Sequence, residues 1–238
     1  MIKIFTYFFY AILITFSIDM MAQNKEELLQ KVVSNFDKKN ISYNLKYNLY
    51  KDKDSKQIEE SYEGKLIKDY NVIYQRINTN EFLMYPNQIL NIFNEEKIIT
   101  ILNSNKDMSK IINQQFNSQN LKDLFTTNHF NILQNTKDLK IIEIIQKENI
   151  EFDKILIFVN SKYEIIKQKF YYKNNFNFSK NPKTKEYSKP ILEILFQNYD
   201  YSNSNNNKLK ISTFIETNKE KFKGVGPYKN YEIQIVSN

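Results

Sequence analysis

No cysteine occurs in this chain. That excludes disulfides, cysteine-ligated metal centres and lipid attachment through a cysteine at a processed N-terminus, so the fold rests on its core alone. Arginine is nearly as scarce: Arg76 is the one arginine among 34 basic residues. Nucleic-acid readers depend on arginine forks for phosphate and base contacts. The formal net charge of +7 is therefore read as a lysine-rich solvated surface, weakly attracted at most to anionic surfaces such as lipid headgroups. No nucleic-acid partner is expected. The single histidine, His129, has neither a cysteine nor a second imidazole to join it, which argues against a typical zinc site. It is read as a residue of a turn or of the edge of an insertion.

What the chain does have is a leader. Lys3 precedes a continuous apolar run from Ile4 to Phe16, and Met20-Met21-Ala22-Gln23 follows before the sequence turns polar. Charged, apolar and small-residue regions in that order read as a secretory signal. Cleavage after Ala22 leaves about 215 residues, enough for one domain with a sizeable core. The expected organisation is a signal peptide over 1–22 and a single domain over 23–238, located in the periplasm with no stable membrane span after cleavage. The alternative is an uncleaved segment that anchors the chain in the inner membrane, although a spanning helix wants about 20 apolar residues and this run is shorter.

Beyond the leader, Leu28, Leu29, Val32, Val33 and Phe36 recur at three- and four-residue steps and predict a helix over Asn24 to Lys38. The period then becomes two. Ile41, Tyr43, Leu45, Tyr47 and Leu49 alternate with polar residues, as in a strand with one wet face. Strand-like runs follow at Ser61 to Lys68, Tyr70 to Ile77, Glu81 to Tyr85, Gln88 to Phe93 and Lys97 to Leu102, with short polar links that imply an antiparallel meander. From Asp107 to Phe130, Met108, Ile111, Ile112 and Phe116 sit at helical spacing, and Leu121, Leu124 and Phe125 form a second apolar group. One or two short helices are expected there, either completing the core or covering a cavity. Strands resume at Leu139 to Gln146, Lys154 to Asn160 and Tyr163 to Tyr172. A long flexible loop is expected over 173–189, followed by strands at Pro190 to Tyr199, Lys208 to Ile215 and Tyr228 to Val236. The Asn-Ser run from Ser202 to Asn207 reads as a hairpin tip. The fold class expected is α+β, a long antiparallel sheet with an N-terminal helix and a helical insertion.

Catalytic patterns do not surface. Gly224-Val225-Gly226-Pro227 precedes a strand-like run, whereas a phosphate cradle needs a helix N-terminus, so a hairpin or bulge is expected. Glu59-Glu60 and Glu95-Glu96 are adjacent pairs, which on a strand would face opposite sides. No enzyme activity, metal or cofactor is expected. The 17 Tyr and 18 Phe fit strand propensity. They also fit a curved sheet that shows aromatic and aliphatic side chains to an apolar ligand.

The order of these elements resembles the outer-membrane lipoprotein carrier family, the LolA-type periplasmic chaperones with an unclosed β-barrel. Leu28 to Phe36 leading into Ile41-Ser42-Tyr43-Asn44-Leu45 is similar to the family's opening helix and first strand. Gly64 with Tyr70 to Ile77 is similar to its second and third strands, and Lys162 to Tyr172, Ile191 to Asp200 and Ile211 to Ile215 to its C-terminal strands. The family's usual Arg-Pro and Asp-Gly punctuation is missing. The resemblance implies a half-barrel whose concave face shields acyl chains beneath a helical lid, without catalysis. It implies a ligand face that includes Tyr43, Leu45, Tyr47, Val72 and Tyr74, a lid of Met108, Ile111, Ile112 and Phe116, and Arg76 as the residue that holds the lid. The implied partners are the acyl chains of lipoproteins or another apolar ligand. The alternative is an envelope interaction module that uses the same fold to bind a protein.

Overall fold

A computed structural model describes residues 25–36, 38–103, 125, 128–146, 151–181, 183–202, 207–218 and 221–237. Helix α1 covers residues 25–36. Six strands follow in a meander: β1 (Asn40–Tyr50), β2 (Ile58–Asp69), β3 (Val72–Ile77), β4 (Asn80–Tyr85), β5 (Gln88–Phe93) and β6 (Ile98–Asn103). The second half holds β7 (His129–Asn135), β8 (Leu139–Ile145), β9 (Phe152–Asn160), β10 (Ile165–Tyr172), β11 (Phe176–Asn177), β12 (Tyr187–Ser188) and β13 (Ile191–Asp200). The chain ends with β14 (Ile215–Asn218), β15 (Lys221–Gly224) and β16 (Glu232–Ser237).

Twelve strands make one curved sheet in the order β16-β6-β5-β4-β3-β2-β1-β13-β10-β9-β8-β7. Its outer strands, β16 and β7, do not pair with each other, so the sheet stays open. The described residues are mostly sheet with this one helix, and the expected lid residues Met108, Ile111, Ile112 and Phe116 lie outside them. Neighbouring strands are antiparallel except at one edge, where β16 runs parallel to β6 with Ile233 opposite Ile99 and Ile235 opposite Ile101. This edge departs from the purely antiparallel sheet that the sequence predicts. The reason for the exception is topological: β13 lies in the middle of the sheet, so the chain after it must cross over β1–β6 to reach the far edge.

Because side chains alternate along a strand, the register assigns them to two faces. On the first, α1 buries Leu28, Val32 and Val33 against Ile142 and Ile144 of β8, Ile155, Ile157 and Val159 of β9 and Ile165 of β10. Each such side chain contributes about 1.5–3 kcal/mol. Leu29 and Phe36 complete the helical stripe read from the sequence, and Phe125 joins the same cluster, edge-on to Phe130 at 5.6 Å. On the second face the crossing chain covers β2–β6. Leu209, Phe214, Ile215 and Tyr228 pack there on Ile67, Tyr74, Leu83, Leu90, Ile92, Ile99 and Ile101.

Several sequence expectations need correction. His129 is not in a turn but opens strand β7, with Ile145 as its register partner, so strands resume ten residues before the expected Leu139. Residues Lys208 to Ile215 form two 3-10 turns, Asn207–Leu209 and Ile211–Thr213, before β14 begins. Burial of Leu209, Phe214 and Ile215 overrides the alternation that reads as a strand. Most of the Ser202 to Asn207 run lies outside the described residues; of the strands on either side, β13 pairs with β1 and β10 and β14 with β15. Gly224 to Pro227 leads into a 3-10 turn at Gly226–Tyr228, which hands the chain to β16. Residues 173–189 contain an ordered hairpin, β11 with β12.

Gly64 shows how closely β1, β2 and β3 meet. A Cβ placed there would lie 2.9 Å from the Arg76 carbonyl oxygen, 3.1 Å from Tyr47 Cε2 and 3.2 Å from Leu45 Cβ. Gly64→Ala is expected to cost about 1–3 kcal/mol through overpacking. The check is the urea midpoint at an unchanged slope; an unmoved midpoint would contradict this packing.

Candidate functional site

The apolar surface on the helix side extends beyond α1. A second cluster on that face joins Ile41, Tyr43, Leu45, Leu66, Ile73 and Met84, bordered by the partly exposed Tyr47, Phe82, Ile89, Ile194 and Phe196. Phe196 belongs to both clusters, whereas no α1 residue belongs to the second. The register explains the continuity. Leu45 stands opposite Phe196 and Tyr47 opposite Ile194, so β1 and β13 present one row of side chains. The bulge between Ser42 and Asn44 faces Asn198, whose φ of 56° is left-handed. There the Tyr43 ring lies 5.4 Å from Phe196 and 5.2 Å from Tyr199.

The face is closed where α1 ends, and beyond it Ile41, Tyr43, Leu45, Leu66, Ile73 and Met84 are buried while their bordering residues are partly exposed. Val32, Phe36, Ile41, Tyr163, Glu164, Tyr199 and Tyr201 surround a void of about 10 Å³, room for no more than one water. Glu164, buried there, accepts from Tyr201 Oη at 2.7 Å and Asn160 Nδ2 at 2.7 Å, while Tyr199 donates to the Ile165 carbonyl at 2.6 Å. Burial pushes the Tyr43 and Tyr199 phenols well above their ordinary range. Burial also raises Tyr201, with the Glu164 carboxylate adding to it. These phenols stay neutral, and the region offers apolar rings, with the Tyr199 and Tyr201 hydroxyls anchored.

Of the five residues expected on one ligand face, the structure brings three together. Tyr43, Leu45 and Tyr47 share the helix side. Val72 and Tyr74 lie on the other face, in the cluster under the crossing chain. Tyr43 stands opposite Leu66, and Leu66 opposite Gln75, so Tyr74 must point the other way. Arg76 is exposed on the same face as Tyr74, with Lys65 and Glu81 as its register partners.

That second face holds an ionic centre the sequence reading missed. Glu81, 7% exposed in its side chain, accepts from Tyr74 Oη at 2.6 Å, Tyr228 Oη at 2.7 Å, Lys208 Nζ at 2.9 Å and Asn94 Nδ2 at 3.2 Å. The Lys208 ammonium also lies 5.3 Å from the Phe214 ring centroid and 5.6 Å from that of Tyr74, within cation–π range. Tyr231 donates to Asn94 at 2.7 Å, and Tyr85 donates to the Leu209 carbonyl. Burial by itself pushes the Glu81 carboxyl up, but the hydrogen bonds from Tyr74, Lys208 and Tyr228 outweigh it and hold the group below its ordinary value. Burial first, and then the carboxylate, raise both phenols. Lys208 and Tyr228 come from positions 127 and 147 residues away, so no local pattern announces them. Glu81 itself lies in a run that reads only as a strand.

Among the described residues, no three His, Cys, Asp or Glu side chains come together to hold a metal. Nor is any described helix long and apolar enough to cross a membrane.

No family model and no curated protein matches this chain. Solved structures that resemble it include an uncharacterized conserved protein from Thermus thermophilus, 8% identical over 90% of this chain and 99% of that one, with a TM-score of 0.47. A LolA superfamily protein from Nitrosomonas europaea is 13% identical over 76% of this chain and 94% of its own, with a TM-score of 0.33. An outer membrane lipoprotein-sorting protein domain from Vibrio parahaemolyticus is 12% identical over 76% and 93%, with a TM-score of 0.35. Likeness at this distance carries no residue-to-residue correspondence.

The Glu81 centre has a pH signature. A carboxyl whose folded pKa is depressed contributes stability above its unfolded value, and that stability is lost as pH falls through the folded one. Unfolding free energy should therefore decline once pH drops past about the ordinary 4.5, and Glu81→Gln should flatten that decline. At neutral pH Glu81→Ala should cost about 3 kcal/mol, at the lower end for a broken buried pair because Lys208 is 41% exposed and solvent screens its share. Urea titrations of both variants across pH 3–7 provide the check, and parallel pH profiles for wild type and Glu81→Gln would refute the assignment.

Proposed function

We propose that this chain is an exported, non-catalytic carrier that takes an acyl chain or a comparable apolar ligand onto the helix side of its open sheet. One observation carries the reading: the apolar surface on that side continues past α1, from the filled core through Phe196 to Tyr47, Phe82, Ile89 and Ile194. An apolar field of strand side chains, rimmed by tyrosines whose hydroxyls are engaged elsewhere, suits a ligand without polar groups of its own. The leader of Lys3 and Ile4 to Phe16 supports export. The order of helix, meander and returning strands supports a relation to lipoprotein carriers.

The chemistry of the field suits transfer more than retention. Dispersion contacts with rings and branched side chains are individually small and non-directional, so a flexible acyl chain can be held in several registers and released without breaking any single strong bond. Tyr47, partly exposed over the buried Tyr43 and Leu45, is the β1 part of this surface, and Ile194 and Phe196 are the β13 part.

The test is titration of the full chain with a fluorescent fatty acid and with an acylated peptide. Wild type should take up both. Phe82→Asp and Ile194→Asp, which place a carboxylate among the partly exposed members, should each weaken uptake by about tenfold or more. Their thermal midpoints, measured in parallel, separate lost binding from lost folding. Absence of uptake by wild type, or full uptake by a folded Ile194→Asp variant, would sink the proposal.

A further inference from the structure

The segment between β10 and β13 has a composition found nowhere else in the described chain. Residues 173–189 hold five lysines against one glutamate, together with Phe176, Phe178 and Tyr187. The one acid, Glu186, is neutralised by Lys51 from the β1–β2 turn. The segment is a built structure. Phe176 stands opposite Ser188 and Asn177 opposite Tyr187, and Phe178 N–H donates to the Glu186 carbonyl at 2.9 Å. The Asn177 side chain accepts from the backbone of Ser179 at 3.1 Å and Glu186 at 2.9 Å, and Asn181 Oδ1 accepts from Lys183 N–H at 3.0 Å. An ordered hairpin therefore presents Lys180, Lys183 and Lys185 exposed around its turn. Phe176 is 39% exposed and Tyr187 58%, and by their register they flank the ribbon on opposite faces.

Behind the hairpin the aromatic rings continue inward. Phe176 lies 4.8 Å from Tyr172, Tyr172 lies 4.8 Å from Phe152, and Phe152 lies 5.2 Å from Phe170. Phe170 packs against the α1 cluster. An exposed ring that joins such a ladder is held in place by it and is not a stray surface residue.

We propose that this hairpin docks the protein on an anionic lipid surface. Lysines reach headgroup phosphates while their methylene stems lie over apolar surface, and aromatic rings settle at headgroup depth. Four net positive charges with two exposed rings match that surface in charge and polarity. A nucleic acid would call for arginine forks, which the segment lacks. Docking here is independent of whether the helix side of the sheet carries cargo.

The experiment compares binding of the full chain to vesicles of phosphatidylglycerol mixed with phosphatidylcholine and to vesicles of phosphatidylcholine alone. Any contribution from the apolar leader acts on both, so the readout is the preference for the anionic vesicles. Wild type should show that preference, and it should shrink in high salt. The triple variant Lys180→Gln, Lys183→Gln, Lys185→Gln should lose roughly a hundredfold of it, at about a fivefold loss per lysine. A charge-matched triple, Lys221→Gln, Lys223→Gln, Lys229→Gln, should lose far less. The chain has no tryptophan, so Phe176→Trp and Tyr187→Trp each place a unique reporter on one face of the ribbon. A blue shift at either position, quenched by lipids brominated on their acyl chains, supports docking. No preference in wild type, equal losses in the two lysine triples, or an unshifted emission at both positions would overturn it.

Discussion

A carboxylate buried on a β-sheet has to be answered by donors, and the way Glu81 is answered organises the second half of this chain. The meander β1–β6 places Glu81 at the border of the apolar cluster on one face, between Ile92 and the exposed Arg76 in register. Left alone there, it would take up a proton or destabilise the sheet. The crossing chain brings Lys208 and the Tyr228 hydroxyl onto it from one side, while Tyr74 donates from the neighbouring strand. The same passage covers the apolar residues of β2–β6 and brings the chain out beside β6, where β16 adds in parallel. Neutralising one charge, covering one face and finishing one edge are thus three results of a single path. Glu81 makes that path specific, since a purely apolar face would accept the crossing chain in many positions.

The division of the sheet into two differently covered faces follows. α1 needs one apolar stripe and finds it on β8–β10, leaving the adjoining surface of β1–β5 and β13 outside its reach. The crossing chain takes the opposite face of β2–β6. On the β10–β13 part of that opposite face, charge pairing replaces cover: Glu193 accepts from Tyr50 and pairs with Lys169 at 3.3 Å. The helix side is therefore the one where an apolar field runs past its covering element.

Local signals and long-range pairing explain what could be read from the chain. The helical stripe Leu28 to Phe36 and the alternation from Ile41 to Leu49 state their geometry in consecutive residues, and the structure places both as expected. Short polar links such as Asn78-Thr79-Asn80 mark the meander, and Asn78 indeed takes a left-handed φ of 53°. Face assignment is different. Tyr43 and Tyr74 both read from the sequence as members of one ligand face, yet they point to opposite sides because of the register across β2, which no window of sequence contains. Lys208 to Ile215 fails for a related reason. Its alternation is real, but burial against a distant sheet decides its backbone. The pairing of β1 with β13, which assembles Tyr47 with Ile194 and Leu45 with Phe196, joins residues 147 and 151 positions apart and is visible only in the fold.

Tyrosine, one of the abundant residues in this chain, supplies what cysteine and arginine do not. Each ring buries a large apolar area, and each hydroxyl can then fix a second element by a directional bond. Tyr74 and Tyr228 tie β3 and the final turn to Glu81, Tyr231 ties that turn to Asn94, and Tyr85 ties β4 to the Leu209 carbonyl. On the helix side, Tyr199 binds the Ile165 carbonyl and Tyr201 binds Glu164, while Tyr50 binds Glu193 on the same face as Glu81. A net contribution of roughly 1 kcal/mol for each such bond, and more for those to charged groups, gives non-local cross-links across the sheet without a covalent bond. Unlike a disulfide, each is individually breakable. A structure tied in this way can be held firmly where several phenols converge, as at Glu81, and more loosely where apolar rings meet without bonds. Phe82, Ile89 and Ile194 belong to the second kind of region, so the apolar field combines contact area with the freedom to rearrange.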